Sequence, residues 1–226
     1  MPTEIIVRGS CSAFQPPERA TVHATVSFEG PAIEPVYERV ARDLDAVKAS
    51  IGPLHNPDDG PVTWWSTAQL HTWANRPWNN EGKQLPLVHH ASVGLEVKFS
   101  DFTALSRWVG EHITGTAGFA LSRIEWALTA VHREELVVEV HTGAVRDAVV
   151  RAQRYADALG LGPIRPVAIA DAGMLGHSSP ADVPQLRAMA AVPMGSAREV
   201  ELVPADIEVS VSVDARFLAG GDAGAA

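Results

Sequence analysis

The sequence lacks the features that would place it among secreted or membrane proteins. Its 226 residues contain one cysteine, Cys11, so no disulfide can form within the chain, and we interpret this residue as a small, buried apolar side chain. No apolar run approaches the roughly 18 residues that a membrane-spanning helix needs, and the first residues do not resemble an export signal. We therefore expect a soluble, cytoplasmic protein without membrane insertion.

Positive charge is also scarce. Lysine and arginine number 18 against 27 aspartate and glutamate, which gives a formal net charge of -9 at pH 7. Such a chain is repelled by nucleic acids and anionic membranes, and its arginines are scattered rather than gathered in a basic stripe. We therefore expect no nucleic-acid partner. The hydrophobic content of 46% is that of a globular protein with a proper core.

Alternating apolar and polar residues predict several β-strands. The clearest run is residues 20–28, in which Ala20 and Phe28 share an apolar face and the other face is polar. A polar loop, residues 74–84, separates two aromatic and β-branched stretches and predicts a long β-hairpin. The strand candidates are residues 5–7, 20–28, 62–73, 85–99, 119–128, 164–170 and 207–217.

Apolar residues at spacings of three and four predict three main helices. We expect the first to end at Gly52 and the second to be capped by Ser100. Gly143 lies inside the third and predicts a local defect, because glycine costs a helix up to about 1 kcal/mol. The three stripes are Val36, Val40, Leu44, Val47 and Ile51; Phe102, Leu105, Val109 and Ile113; and Leu136, Val140, Ala144, Ala148, Ala152, Tyr155 and Leu159. This order of elements predicts an α+β fold with antiparallel or mixed sheets rather than a parallel βαβ array.

Four segments carry a resemblance to a known family. They are Ile5-Ile-Val-Arg-Gly9, the strand after Glu18-Arg-Ala20, the helix over residues 144–160 that ends in Ala-Leu-Gly, and the strand Ile207-Glu-Val-Ser-Val-Ser-Val213. Together they resemble the SIMPL-domain family over about residues 4–217. The resemblance implies a small α+β fold and, as in some members, self-association into ring- or barrel-like assemblies. Some members carry names linked to oxidative-stress defence, and the family has no defining catalytic motif.

The domain organisation follows from this coverage. We expect one SIMPL-like domain over residues 1–219, with two subdomains as the alternative, and a flexible tail over residues 220–226. The connection over residues 171–206 is long for a compact domain, and loops of this length are usually functional or poorly ordered.

The titratable residues form no recognised catalytic or metal motif. The chain has no H-E-x-x-H, no C-x-x-C and no G-x-S-x-G sequence. His89 and His90 are adjacent on a predicted strand and point to opposite faces, so they cannot chelate one ion. His132 and Glu135 supply only two ligands. We expect no cofactor, no metal and no enzymatic activity.

The one unusual constellation is aromatic. Four of the six tryptophans lie between Trp64 and Trp78. By strand alternation, Trp65 and Trp73 share a face and Trp64 faces the other way; in one interpretation Trp64 packs in the core and the others cover a sheet edge. The candidate interface or ligand surface is Trp65, Trp73, Arg76 and Trp78. Such a group can cover its own sheet, bury itself in another subunit, or stack on a sugar or planar ligand.

Two hypotheses follow for a molecular function that the sequence alone leaves unknown. In the first, the chain is a homo-oligomer that assembles through the tryptophan-rich hairpin, with an edge strand as a further contact, and acts as a scaffold or stress-related accessory. In the second, it is a small-molecule binding module that uses the same aromatic surface.

Overall fold

A computed structural model describes residues 1–78, 80, 84–175 and 204–220. These residues form two antiparallel sheets and three α-helices, which confirms the predicted α+β class. In chain order the elements are β1 Thr3–Gln15, β2 Arg19–Gly30, α1 Ile33–Ile51, β3 Val62–Thr67, β4 His71–Asn75, β5 Val88–Phe99, α2 Phe102–Gly115, β6 Phe119–Ala127, α3 Ala130–Ala158, β7 Arg165–Asp171 and β8 Ile207–Ala219.

The chain divides into two compact units. Unit 1 contains β1, α3, β7 and β8, and unit 2 contains β2 to β6 with α1 and α2. Most of the predicted connection over residues 171–206 and nearly all of the predicted tail over residues 220–226 lie outside the described residues.

Unit 1 packs one long helix on a three-stranded sheet with strand order β1-β8-β7. Helix α3 turns a ladder of alanines, spaced four residues apart, toward the sheet, and Ile5, Val7 and Phe217 of the strands complete this cluster. The predicted stripe departs from this pattern at its end, because Ala156 is buried whereas Tyr155 and Leu159 are exposed. The buried ladder is Ala144, Ala148, Ala152 and Ala156.

Two glycines let α3 approach β1 closely. A Cβ atom at Gly9 would collide with the backbone of Ala144 and Ala148, and one at Gly143 would collide with the Cys11 sulfur. The predicted helix defect at Gly143 is wrong, since α3 runs unbroken through this position. The glycine instead makes room for Cys11, which packs against the interior of the unit but is only partly buried, less than the sequence predicted.

The free edge of β1 is capped by side chains from α3. The Ser10 backbone N–H donates to Asp147 Oδ2 at 3.0 Å, and Arg151 Nη1 donates to the Arg8 carbonyl oxygen at 3.0 Å. Asp147 and Arg151 also pair with each other across one helical turn at 3.2 Å. An acid and a base on one helix face therefore satisfy backbone groups that a neighbouring strand would otherwise pair.

Unit 2 is a five-stranded antiparallel sheet with helices on one face. Its strand order is β3-β5-β2-β6, and β4 also pairs with β5. All five predicted apolar residues of α1 are buried against this face, from Val36 to Ile51, and the helix ends before Gly52 as predicted. Branched and aromatic side chains such as Phe99 and Leu105 fill the core.

Helix α2 differs from its prediction at both ends. Asp101, not Ser100, caps its N-terminus, because the Asp101 carboxylate accepts hydrogen bonds from two backbone N–H groups of the first turn. The Ser100 hydroxyl instead donates to the Gly60 carbonyl oxygen at 2.8 Å. Ile113 is exposed, while Trp108 is buried on the core-facing side of the helix.

Candidate functional site

The predicted strand over residues 62–73 is in fact two strands. β3 and β4 each pair with β5, and residues 68–70 separate them. The register of β3 against β5 shifts by one residue. Val62 and Trp64, two positions apart on β3, lie opposite Phe99 and Lys98, which are adjacent on β5. One extra residue is therefore accommodated on β3 as a β-bulge.

This bulge exchanges the faces of the sheet on which Trp64 and Trp65 lie. Trp65 lies opposite the fully buried Val97 and packs against the core, whereas Trp64 is 44% exposed on the outer face. Trp73 lies opposite His90 on the same outer face and is 50% exposed. The prediction that Trp64 packs in the core is wrong, since the residue inserted before it moves its side chain to the opposite face. The prediction that Trp65 and Trp73 share a face is also wrong, because the pairing with β5 shifts by one further residue between Thr67, which lies opposite Leu95, and His71, which lies opposite Ser92.

Three tryptophans of this stretch of chain, Trp64, Trp73 and Trp78, are exposed, and we call them together the tryptophan surface. Trp64 and Trp73 lie opposite Lys98 and His90, which are eight positions apart on β5. Trp78 follows β4 and is 85% exposed. The Trp73 ring stacks on His90, with ring centroids 5.0 Å apart and planes within 6°. The Lys98 ammonium lies 5.6 Å from the centroid of the Trp64 ring, within the range of a cation–π contact. Each strand tryptophan is therefore positioned by a neighbour on β5.

His90 is held in place from two sides. Its Nε2 lies 2.7 Å from the side-chain oxygen of Asn75, and its Nδ1 lies 3.4 Å from a Glu29 carboxylate oxygen. Arg76, the fourth predicted site residue, donates from Nη1 to the Leu85 carbonyl oxygen at 3.0 Å. Part of its hydrogen-bonding capacity is thus used within its own loop.

A charged cluster lies on the outer face of the same sheet. His23 Nδ1 is 3.2 Å from Glu96 and its Nε2 is 3.4 Å from Glu125. Arg123 approaches Glu125 at 3.9 Å. Within the described part of the chain, no group of three or more His, Cys, Asp and Glu side chains is arranged to hold a metal ion. The outer face therefore carries both signs of charge beside exposed aromatic rings.

A buried serine–histidine contact in unit 2 has a structural geometry. The Ser50 hydroxyl donates to the Val47 carbonyl oxygen at 2.7 Å, and its oxygen lies 2.8 Å from His112 Nε2 and 2.9 Å from the donating Trp108 Nε1. Burial lowers the pKa of His112, against a smaller opposing effect of the Glu111 charge. These contacts join α1, which carries Ser50, to α2, which carries Trp108 and His112.

A family model named SIMPL, described as a protein of unknown function (DUF541), matches residues 5–217. The chain belongs to the SIMPL family. A search of curated proteins found no match. In the described residues of this SIMPL chain, no helix is both long and apolar enough to span a bilayer. Because the family description assigns no activity, any functional conclusion for this SIMPL protein depends on its own geometry.

A second concave region was missed by the sequence analysis. Arg8 of β1 and three residues of α3, Arg151, Arg154 and Tyr155, line one cavity in unit 1. Arg8 and Arg151 are 143 positions apart, so no local motif records their proximity. The spacing of three and four residues from Arg151 to Arg154 and Tyr155 was the available signal, because it places all three on adjoining parts of one helix face.

Proposed function

We propose that this SIMPL protein is a non-enzymatic, self-assembling protein of the cytoplasm that associates through the tryptophan surface of unit 2. The observation that carries the proposal is the exposure of three tryptophans, Trp64, Trp73 and Trp78, within one stretch of 15 residues of the chain. Exposed aromatic rings are enriched at protein interfaces, where tryptophan is among the residues that contribute most to binding. The occupant we propose is a second copy of this chain, and the role is that of a scaffold or a stress-related accessory.

The area of the tryptophan surface is compatible with part of such an interface. At their present exposures the three rings can still bury roughly 400 Å² between them. A standard interface takes about 800 Å² from each partner. The remaining area would come from neighbouring outer-face residues such as Lys98 and Glu96.

The charges beside the tryptophans favour a second copy of the chain over a partner that is strongly acidic or strongly basic. Arg123 and Lys98 lie on the same outer face as Glu96 and Glu125. In a two-fold symmetric dimer the same patch meets itself, so a patch with both charges can pair acid with base across the axis. A strongly basic or acidic partner would meet like charges as well as opposite ones.

One further observation fits a cytoplasmic role. Cys11 is a free, partly buried thiol that packs against the interior of unit 1, which fits a reducing compartment.

The test is the native mass in solution, measured by size-exclusion chromatography with light scattering. We expect a mass that is a multiple of the 24.1 kDa chain, and a smaller mass for Trp73→Ala and Trp78→Ala. Removing a tryptophan from the centre of an interface typically costs about 2 kcal/mol or more, or roughly thirtyfold in association. Tyr37→Ala is the matched control, because this aromatic residue of α1 is also half exposed and lies outside the tryptophan surface.

A wild-type mass of one chain, or unchanged assemblies in both tryptophan variants, would contradict the proposal. The competing function, a module that binds a sugar or planar ligand, has its own readout. In that case the ligand quenches tryptophan fluorescence in the wild type, and Trp78→Ala removes the quenching while the native mass stays constant.

A further inference from the structure

Unit 1 contains a cleft of about 530 Å³ between the edge strand β1 and helix α3. This volume lies within the range of pockets that hold small organic molecules. Its lining residues are Ile6, Val7, Arg8, Arg151, Arg154 and Tyr155.

We infer that this cleft is a binding site for a small ligand that carries a phosphate or carboxylate group. Half of the lining residues are arginines and none is acidic, although the chain as a whole has a net charge of -9. The charges of Arg8 and Arg151 are balanced by Asp214 and Asp147, so the uncompensated positive charge of the cleft is that of Arg154, which a bound oxyanion would balance. The inference goes beyond the proposed self-assembly and does not depend on it.

Arg8 borders the cleft through the backbone of β1, and its side chain lies on the face of the sheet opposite α3, because its neighbours Val7 and Gly9 face that helix. Its Nε donates to Asp214 Oδ1 at 2.8 Å and its Nη2 to Asp214 Oδ2 at 3.3 Å, a two-pronged pairing. Asp214 is only 8% exposed, and its Oδ2 also accepts the Gly173 backbone N–H at 2.6 Å. The Arg8 hydrogen bond is the main cause that keeps the pKa of Asp214 below its usual value, against the opposing effect of burial.

Arg151 is held at the α3 side of the cleft. Its Nε pairs with Asp147 at 3.2 Å, and its Nη1 donates to the Arg8 carbonyl oxygen at 3.0 Å. The helix side chain is thereby fixed against the strand that carries Arg8. The Arg151 guanidinium is therefore already ordered beside the cleft, which lowers the entropic cost of binding a ligand.

Arg154 is the uncommitted member of the group. It is exposed, and within the described residues it makes no hydrogen bond and no ion pair. Its five N–H donors, arranged as a planar fork, match two oxygens of one phosphate or carboxylate. We assign Arg154 as the principal anion contact of the site.

The remaining lining residues indicate the chemical character of the uncharged part of the ligand. Tyr155 is 60% exposed and offers both a ring face and a hydroxyl, and Ile6 adds an exposed apolar side chain. A molecule with one anionic group and an apolar or planar body would use both parts of the cleft.

The experiment is calorimetric titration of the full chain with pyrophosphate and, separately, with citrate. We expect saturable binding of at least one of these probes, at one per chain, with a Kd of about 1 mM or tighter. Pyrophosphate alone would identify a phosphate site, and citrate alone a carboxylate site. Arg154→Gln should weaken binding about tenfold or more, because a hydrogen bond to a charged group is lost.

Arg146→Gln is the matched control. Arg146 is an exposed arginine of the same helix outside the cleft, so this variant changes the net charge equally. We expect its affinity to stay within about twofold of the wild type, as for a surface charge remote from the site. Tyr155→Phe removes only a hydroxyl and should weaken binding by roughly threefold.

Two results would overturn the inference. One is the failure of both probes to saturate the wild-type chain. The other is an equal loss of affinity in Arg154→Gln and Arg146→Gln, which would show a diffuse electrostatic attraction rather than a site. Circular dichroism of each variant verifies that α3 remains folded, which is expected because Arg154 and Arg146 are both exposed.

Discussion

The two units each pack helix against one face of an antiparallel sheet, but they use side chains of opposite size. In unit 1 the contact between α3 and β1 is made by alanines and by Gly9 and Gly143 from residue 143 onward, while Leu136 and Val140 pack against the sheet nearer the start of the helix. In unit 2 the corresponding layer is filled by Phe99, Leu105, Trp108 and many valines. A helix that presents only methyl groups approaches its sheet closely, whereas one that presents large side chains stands farther away.

This difference determines which changes each unit tolerates. Where two backbones nearly touch, an added methyl group has no space and destabilises the fold. In a core of large side chains, the more destabilising change is the removal of side-chain volume, which leaves a cavity. The two kinds of damage can be followed separately. All six tryptophans lie in unit 2, so fluorescence reports on that unit alone. Helical circular dichroism reports on both units, because α3 has 29 residues and α1 and α2 have 19 and 14, so a loss of circular dichroism that precedes the fluorescence change marks unit 1.

The largest effect is expected from removing volume in unit 2. Phe99 is fully buried, and Phe99→Ala should lower the free energy of unfolding by about 4 kcal/mol, because it leaves a cavity as well as losing apolar contact. Denaturant unfolding followed by tryptophan fluorescence measures this. Phe14→Ala, at an exposed phenylalanine of unit 1, should change the free energy by less than about 0.5 kcal/mol. A loss below about 1 kcal/mol for Phe99→Ala would contradict the assignment of a tightly packed core.

A somewhat smaller effect is expected from adding volume in unit 1. Gly9→Ala inserts a methyl group against the α3 backbone and should cost about 3 kcal/mol, seen as earlier loss of helical circular dichroism. Gly110→Ala is the control. Gly110 is an exposed residue of α2 with nothing within 4 Å of an added Cβ, so alanine should stabilise the chain by about 0.5–1 kcal/mol. If both substitutions stabilise the protein, the close approach of α3 to β1 is wrong.

The smallest expected effect is a difference between the two units in the pH range over which each loses stability. Burial lowers the pKa of His112 in unit 2, so below pH 6.5 the unfolded chain takes up a proton more readily and the stability of unit 2 falls. The pKa of Asp214 in unit 1 is also lowered, chiefly by Arg8, but its contribution is present above pH 3.8 and is lost only below it. Fluorescence-detected unfolding on both sides of pH 6.5 should therefore show a decline that is reduced in His112→Gln. His55→Gln, at an exposed histidine, is the control and should leave the loss of stability below pH 6.5 unchanged. If His112→Gln also leaves this loss unchanged, groups other than His112 cause it.

The sequence predicted those elements that depend on a regular period along one stretch of chain. The apolar stripe of α1 and the alternation of β8 are both seen as expected, because burial on one side of a helix or strand imposes that period directly. The family resemblance likewise corresponds to the family match over residues 5–217.

The features that the sequence did not predict depend on contacts between distant segments or on single-residue shifts. The bulge near Trp64 is one added residue, and strand periodicity counted across it assigns Trp64 and Trp65 to the wrong faces. Gly143 was interpreted as a weakness of α3, because Cys11, which needs the space, lies on another element. The arginine cleft was missed for the same reason, since β1 and α3 come from opposite halves of the chain.

The Asp147 and Arg151 caps on β1 also bear on how the protein avoids aggregation. An edge strand with free N–H and C=O groups is a template onto which the strand of another molecule can add, the first step toward amyloid-like growth. At Arg8 and Ser10 that template is already occupied by side chains of α3. A foreign strand would have to displace an intramolecular ion pair before it could dock at the middle of β1, so any templated growth along this edge must begin nearer the ends of the strand.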